Sequence, residues 1–512
     1  MRTGGLVGLA FSAPWNRRLA AQPRFSDNPF SLGVASGDPW PNSVVLWTRL
    51  APKPVEGGGM PLADVEIRYR VATDDQMQRV IRDETVLAMP ELAHSVHIVA
   101  GGLEPARDYW YQFHVGNESS TVGHTRTAPA ADAVLSQLSF AYVSCQHYES
   151  GYFTAYKHLV EDAPDFVVHL GDYIYEGAAA PLEAGRVRQH NGPEIVTLTD
   201  YRNRYALYRT DPHLQAAHAA CPWIVTWDDH EVDNNWAGTV PQDPDEQNPT
   251  EFLVRRMAAF QAYYEHMPLR SFPVPRGALD LDLRLYRRFQ FGDLVQINVL
   301  DTRQYRSVQP CVPDFPGTPD CPERQAPSLS VTGQRQEAWL LSQLDASSAR
   351  WNVLAQQLWF GQFDFAKEPP RAFNTDAWDG YPQQRQRILD FIDERRPGNP
   401  IVISGDWHGY CAQNLQKDFD DPDSETLATE FAGTSLSSRC PWAGEVEANL
   451  AENPHVRFFE GNRRGYVRCL VRPERWQTDF RVVSDPLEPE STSISTLASF
   501  VVEDGQPGVQ EA

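Results

Sequence analysis

Between about residue 30 and residue 128, apolar and polar residues alternate in short segments that turn residues separate. The clearest of these segments lie at 43–50, 65–71, 95–99 and 108–115. Alternation with a period of two is typical of strands that bury one face and expose the other. Residues 28–128 are therefore predicted to form a small β-sandwich domain.

The aromatic run YWYQF at 109–113 sends alternate side chains to opposite faces of its strand. A strand of this kind, packed on a core, resembles those of fibronectin type III domains. The likeness concerns structure and carries no information about chemistry.

The pattern changes after an alanine-rich segment at 127–132, which is predicted to be a linker. Apolar runs typical of buried strands then alternate with helical stretches, so residues 136–485 are predicted to form a layered α/β domain. We predict strands at 138–143, 166–170, 223–226, 294–300, 351–354 and 401–403, and helices at 152–161, 201–219, 251–266, 334–344 and 383–394.

The two ends of the chain differ from the rest. Residues 466–471 and 477–483 predict a final hairpin, and the acidic tail at 486–512 is expected to be disordered. Residues 1–27 contain a weakly apolar stretch followed by small residues, and we interpret them as a truncated export signal. A secreted or periplasmic location is therefore expected.

The charge of the chain limits its partners. It has 45 basic and 68 acidic residues, a net charge of -23, so specific nucleic-acid binding is not expected. No apolar run is long enough for a transmembrane helix. The same negative field would repel a phosphate ester, so a site for such a substrate needs a local positive charge, which bound metal supplies.

Seven cysteines, an odd number, suit three disulfides and one thiol kept for other work. Cys311 and Cys321 are the best candidates for a pair, because the proline-rich loop between them has little other means of becoming ordered. In a reducing compartment all seven would instead be buried thiols.

Polar residues directly follow four of the predicted strands. These are Cys145 after the first strand, Asp172 and Tyr175 after the second, Asp229 and His230 after the third, and Asp406 and His408 after the last. Because open α/β sheets bind ligands at the carboxyl ends of their strands, we expect these side chains to meet at one rim. Clustered carboxylates repel one another unless a cation neutralises them. The predicted metal ligands are Cys145, Asp172, Tyr175, Asp229, Asp406 and His408.

The charge of this ligand set bears on the metals. A thiolate, a phenolate and three aspartates supply five negative charges, which one trivalent and one divalent ion would balance. This favours Fe³⁺ with Ca²⁺, because thiolate and phenolate suit a transition metal and an oxygen-rich half suits calcium. Two Zn²⁺ ions or another divalent pair remain the alternative.

Three sequence blocks carry a resemblance to a known family: GDYIYE at 171–176, WDDHEVDNN at 227–235 and SGDWH at 404–408. They resemble the signature blocks of PhoD-like alkaline phosphatases and phosphodiesterases, which belong to the metallophosphoesterase superfamily. The resemblance implies hydrolysis of phosphomonoesters, phosphodiesters or both at alkaline pH, and export of the folded protein.

The resemblance also implies how the ligands divide between the metals. Cys145, Asp172, Tyr175 and His408 would hold iron, while Asp229, Asp406 and a bridging Asp172 would hold calcium. Asn234 or Asn235 could add to the second set. The chain departs from ordinary metallophosphatases in its first block, which places the participation of His147 in doubt.

These assignments lead to a mechanistic hypothesis in which a metal-bound hydroxide attacks the phosphoryl group in line with the leaving oxygen. His230, oriented by Glu231 or Asp228, is expected to protonate or stabilise that oxygen. Asp229 is expected to act in catalysis as well as in metal binding. Arg303, and more weakly Arg439, are candidates for binding the phosphate.

Three alternatives stay open at this point. A phospholipase-type phosphodiesterase would differ only in its substrate pocket, and a purple-acid-phosphatase-like enzyme shares a Gly-Asp-x-x-Tyr block. A surface protein stabilised by structural calcium is the alternative that is not an enzyme. Cys145 and Tyr175 argue against it, because calcium has no use for a thiolate.

Overall fold

A computed structural model describes residue 25 and residues 27–182, 185–270, 283–311, 315–490 and 493–512. The predicted export signal at 1–27 therefore lies almost entirely outside the described residues. Among the residues described, no helix combines the length and the apolar character needed to cross a membrane.

Two large sheets form the body of the molecule. The first has ten strands in the spatial order Gln506–Glu511, Ile494–Glu503, Arg475–Val483, Gly465–Val471, Leu138–Val143, Phe166–His169, Pro222–Val225, Val34–Trp40, Ser43–Arg49 and Ser95–Gly101. The second has seven, in the order Arg287–Phe291, Val295–Val299, Trp351–Ala355, Pro400–Ser404, Thr426–Ala432, Tyr410–Gln416 and Val456–Glu460.

The two sheets pack face to face, and helices cover their outer faces. Phe140 and Val168 of the first sheet share a buried core with Ile297 and Val353 of the second. Helices Ala155–Glu161, Leu198–Arg209, Pro212–Ala220 and Pro249–His266 pack on the first sheet, Gly333–Asp345 and Pro382–Arg395 on the second, and Ala443–Ala448 lies near the cavity described below. This mixed arrangement confirms the α/β part of the predicted fold class.

The N-terminal strands also lie in two sheets with a shared core. Three of them belong to the ten-stranded sheet, because Val34–Trp40 pairs in parallel with Pro222–Val225. The others form a separate sheet of Val80–Ala88, Val65–Ala72, Asp108–Val115, Glu118–Ser119 and Gly123–Arg126. Val44, Ile67 and Tyr111 fill the space between the two layers. The finer likeness to fibronectin type III domains stays a prediction.

Two predictions from the sequence are wrong. The helix expected at 201–219 is two helices, because Asp211 caps a new helix that begins at Pro212. The tail expected to be disordered instead forms two strands, Ile494–Glu503 and Gln506–Glu511, so 466–483 is not the final hairpin. Phe500 and Val502 of this tail are buried, and this apolar contact holds it on the sheet.

The parallel pairing of neighbouring strands determines where the site lies. Leu138–Val143, Phe166–His169 and Pro222–Val225 run in parallel, as do Trp351–Ala355 and Pro400–Ser404 of the other sheet. Because the carboxyl ends of parallel strands lie on one edge, the segments that follow them converge where the two sheets meet.

Candidate metal centre

The chain turns sharply at the strand ends. Cys145, Asp172, Asp406 and His408 have φ angles of 56°, 57°, 56° and 61°, a left-handed conformation that side-chain-bearing residues seldom adopt. Gly171 is required before Asp172, because a Cβ atom there would lie 2.4 Å from Cβ of Asp228. Strained backbone of this kind is typical of functional sites, and here it aims four predicted ligands into one space.

The structure brings the predicted ligands together in overlapping groups. Within each group, one potential ligand atom from every member lies within 4.8 Å of the others. The groups are Cys145 with Asp172 and His408, Asp172 with Asp229 and His230, and Asp228 with Asp229 and Asp406. Asp172 belongs to two groups and Asp229 links the second to the third, so the cluster is continuous and large enough for more than one cation.

Several carboxylate oxygens of the cluster are buried without a hydrogen-bond donor. They are Oδ1 of Asp172, Oδ2 of Asp228 and Oδ1 of Asp229. A buried polar atom without a partner costs free energy, and a buried carboxylate costs more than a neutral group. The donor set therefore fits a cation, which would satisfy these oxygens.

Tyr175 joins the cluster through its phenol. The hydroxyl donates a hydrogen bond to Oδ2 of Asp172 at 2.8 Å, and it lies 2.7 Å from Oγ of Ser438 and 3.3 Å from Nε2 of His408. Burial, with Asp172 and Cys145 adding to it, raises the pKa of the phenol well above its usual range. Without a cation the phenol thus stays protonated, and a bound metal would have to displace this proton.

The thiol of Cys145, like the phenol of Tyr175, has a raised pKa. Burial and the neighbouring Asp172 raise the pKa of its thiol well above the usual value. The Sγ atom lies 3.2 Å from Oγ of Ser144. This buried thiol would act as a ligand only after losing its proton to a metal.

Two of the carboxylates, Asp406 and Asp228, resist ionisation, whereas Arg303 and His230 lower the pKa of Asp229 although burial opposes this. Burial raises the pKa of Asp406 to about 8, although the nearby Arg303 lowers it. Burial likewise raises the pKa of Asp228 well above its usual range. Without a cation, these two carboxyl groups therefore favour their protonated form.

Arg303 does not lie where the sequence analysis placed it. Its side chain is 0% exposed, and it sits among carboxylates instead of facing the cavity. Nε donates to Oδ1 of Asp228 at 2.5 Å and Nη1 to Oδ2 of Asp376 at 2.8 Å, while Nη2 lies 3.5 Å from Asp229 and 3.7 Å from Asp406. A contact between Arg303 and a substrate phosphate is therefore not supported, and the guanidinium instead offsets the charge of the cluster from behind.

The orientation of His230 also differs from the prediction. Nδ1 of its ring lies 2.7 Å from Oε2 of Glu176, so neither Asp228 nor Glu231 orients it. Glu231 accepts hydrogen bonds from the backbone amides of Asp172, Tyr173 and Asp228 and so fixes the two turns relative to each other. Glu176 could have been recognised from the sequence, since it ends the GDYIYE block. Its contact with His230 could not.

A cavity of about 360 Å³ opens onto the cluster. Its lining includes Asp172, Asp229, His230, Asn234, Asn235, Phe315, Asn374, Asp376, Asp406, Trp407, His408 and Trp442. Asn374, Asp376, Phe315 and Trp442 were not found from the sequence, because they follow no predicted strand. Asp376 pairs with Arg303 and Arg306, and although burial opposes ionisation, these two arginines lower its pKa.

The structure places the remaining candidates, Asn235, His147 and Arg439, in different positions relative to the cluster. The backbone amide of Asn235 donates to Oδ2 of Asp229 at 2.8 Å, whereas His147 lies outside the three groups with its Nδ1 2.9 Å from Ser150. Arg439 contributes its carbonyl oxygen, which lies 2.6 Å from Nδ1 of His408 and fixes that ring.

The predicted cysteine pair is confirmed, since Cys311 and Cys321 form a disulfide. The other five cysteines, including Cys145, are buried free thiols. Cys145 is thus left available for a metal.

Comparison with known proteins identifies a family that matches most of the chain. The model of the PhoD-like phosphatase family matches residues 140–480, and the model of the N-terminal domain of PhoD-like phosphatases matches residues 16–129. Alkaline phosphatase D of Bacillus subtilis (strain 168) is 48% identical over 496 residues, which cover 96% of this chain and 84% of that protein. A solved structure described as the structure of PhoD matches with a TM-score of 0.91 at 48% identity, over 96% of this chain and 93% of the other.

Proposed function

The chain belongs to the PhoD-like phosphatase family and is a phosphoric ester hydrolase, and we propose that it is an exported two-metal enzyme that acts on phosphomonoesters and phosphodiesters at alkaline pH. The observation that carries the two-metal part is the set of buried carboxylate oxygens without hydrogen-bond donors on Asp172, Asp228 and Asp229. Oxygens in this state are stable only when a cation completes them.

The ligands divide into a softer and a harder half. Cys145, Tyr175 and His408 surround one side of Asp172 and would hold Fe³⁺. Asp229 and Asp406, on the other side, would hold Ca²⁺ through oxygen atoms. Two Zn²⁺ ions or another divalent pair are the alternative.

Bound metal ions would supply the positive charge that draws a phosphoryl group into an acidic protein and would activate water as the nucleophile. The residues of the chain perform the remaining tasks. Arg303 holds Asp228 and Asp229 in place from behind, so that their oxygens stay directed at the cations. His230, kept protonated by Glu176, stands at the cavity wall, where it can donate a proton to the leaving oxygen.

Export is proposed from the first residues and from one further observation. The disulfide between Cys311 and Cys321 favours an oxidising compartment, such as the periplasm or the extracellular space.

The activity is tested by hydrolysis of 4-nitrophenyl phosphate and bis(4-nitrophenyl) phosphate at pH 8 to 9, before and after treatment with a chelator. We expect hydrolysis that chelation abolishes and that iron with calcium restores. Hydrolysis that persists in metal-free protein would refute the two-metal proposal. The ratio of the two rates would establish the preference for monoesters or diesters.

A further inference from the structure

Aromatic rings form one wall of the cavity beside the metal centre. Phe315, Trp407 and Trp442 line it together with Asp172 and Asp406. We infer that Phe315 and Trp442 form a subsite for an apolar or aromatic substituent of the phosphate ester, so that the enzyme prefers phosphodiesters that carry such a group. The inference rests on the proposed function, because it concerns the part of the substrate that lies beside the phosphoryl group.

The wall begins directly at the metal centre. The ring of Trp442 stacks on His408, with ring centroids 5.1 Å apart and an interplanar angle of 28°. Phe315 meets Trp442 edge to face at 4.7 Å and 84°. A substituent attached to a phosphoryl group at Asp172 and His408 would therefore reach these rings.

The rings of Trp407 and Trp442 pack against a buried cluster of apolar residues. Trp407 is buried and packs at 5.8 Å from Phe365 and at 5.0 Å from Trp359. Trp442 packs against the same buried cluster, and its Nε1 donates to the carbonyl oxygen of Trp407 at 3.2 Å. Trp407 and Trp442 are thus anchored in a core.

Phe315 differs from the other two rings because it is 53% exposed. It lies in the loop that the Cys311–Cys321 disulfide closes. Thr318–Pro319 of that loop pairs with Ala372–Phe373, and Gly317 approaches Phe365 so closely that a Cβ atom there would lie 2.6 Å from Cβ of Phe365. A large apolar ring held at the mouth of a polar cavity is typical of a binding surface.

The chemistry of the cavity also limits the substituent. Phe315 and Trp442 carry no charge with which they could bind a second anionic group. An aromatic ring or an alkyl chain instead gains apolar contact with both rings. The substituent is therefore expected to be uncharged and at least as large as a phenyl ring.

The test uses three esters that share one leaving group and one charge: methyl, phenyl and hexyl 4-nitrophenyl phosphate. With the metal-loaded enzyme we expect kcat/KM for the phenyl ester to exceed that for the methyl ester about 10-fold. Phe315→Ala should lower this ratio about 5-fold, whereas Phe315→Leu should retain most of it for the hexyl ester. A phenyl ester faster than the hexyl ester identifies aromatic contact as the source, and the reverse order identifies chain burial; both support the subsite.

The matched control is Leu62→Ala, since Leu62 is 94% exposed and lies outside the cavity lining. It should leave the ratio unchanged. Calorimetric titration with phenylphosphonate and methylphosphonate measures binding in the absence of any leaving group. Phe315→Ala should weaken the binding of phenylphosphonate and leave the binding of methylphosphonate unchanged. Equal kcat/KM for the methyl and phenyl esters, or a ratio that Phe315→Ala leaves intact, would overturn the inference. Loss of all hydrolysis in the unaltered enzyme would instead count against the proposed function.

Discussion

The hydroxyl of Tyr175 donates a hydrogen bond of 2.8 Å to Oδ2 of Asp172, while Oδ1 of the same carboxylate is buried without a donor. One oxygen of Asp172 is thus tied to the thiol-containing side of the cluster, and the other is free for the acidic side. A ligand that bridges two cations needs one oxygen for each, so this division fits a bridging role for Asp172.

Asp172→Asn removes the charge shared by both halves of the cluster. We expect loss of bound metal and a fall in kcat/KM that exceeds the roughly 10–100-fold cost of substitutions outside the coordination sphere. Metal content and hydrolysis of 4-nitrophenyl phosphate measure the two effects. Asp245→Asn, at an exposed position, serves as the control and should change neither. An active, metal-replete Asp172→Asn enzyme would remove Asp172 from the site.

Glu176→Gln tests the role of His230. Burial lowers the pKa of this histidine, but Glu176, Asp229 and Asp172 outweigh burial and raise it well above the usual range. Without the Glu176 charge the pKa falls, so the protonated ring is lost at a lower pH. The alkaline limb of the kcat profile should therefore move toward acid by about one pH unit or more.

The effect of Glu176→Gln should also depend on the leaving group. Alkyl esters need a proton on the leaving oxygen more than nitrophenyl esters do, so their rate should fall further. Glu368→Gln, at an exposed position, is the control. Equal losses for both kinds of ester would argue that His230 is not the proton donor.

Arg303→Gln would leave Asp228 and Asp376 buried without their counter-charge. Breaking a buried ion pair in this way costs about 3–5 kcal/mol, so the free energy of unfolding of the metal-free protein should fall by that order. Urea denaturation measures it. Arg350→Gln, which breaks the exposed pair with Asp504 at 2.6 Å, should cost about 0–1 kcal/mol. Similar losses in both variants would contradict the buried role of Arg303.

Asp406 gives the metal-free protein a pH dependence of unusual sign. Burial raises its pKa to about 8, so the folded state binds a proton that the unfolded chain releases near pH 4. Stability from this group is complete below pH 4 and is lost as the pH rises toward 8.

Asp406→Asn removes this dependence. In metal-free protein, the variant should gain stability over the unaltered chain by on the order of 4 kcal/mol between pH 5 and pH 8. Thermal unfolding across this range measures the difference. A difference that does not change with pH would show that Asp406 ionises normally.

The strand-end residues could be predicted from the sequence for a physical reason. Parallel strands align their carboxyl ends, so Cys145, Asp172 and Asp229 converge at one edge of the first sheet. Asp406 follows a strand of the second sheet, and the packing of the two sheets brings it to the same place. Asp376 could not be found in this way, because it lies in an irregular segment whose position depends on tertiary contacts with Arg303.

Two other differences between the predicted and the observed structure had a signal in the local sequence. Asp211 before Pro212 is a helix-start pattern inside a stretch read as one helix. The tail carries apolar residues such as Phe500 and Val502 among its acidic ones, and their burial outweighs the composition. The contact of Phe315 with Trp442 had no such signal, since the two lie far apart in sequence.

Elemental analysis of the protein, purified without chelators, tests the central claim most directly. The account predicts iron and calcium bound to each chain in amounts that fall together in Asp172→Asn. Two zinc ions per chain would preserve the two-metal site and refute the choice of metals. A chain that hydrolyses phosphate esters with no bound metal above background would contradict the account.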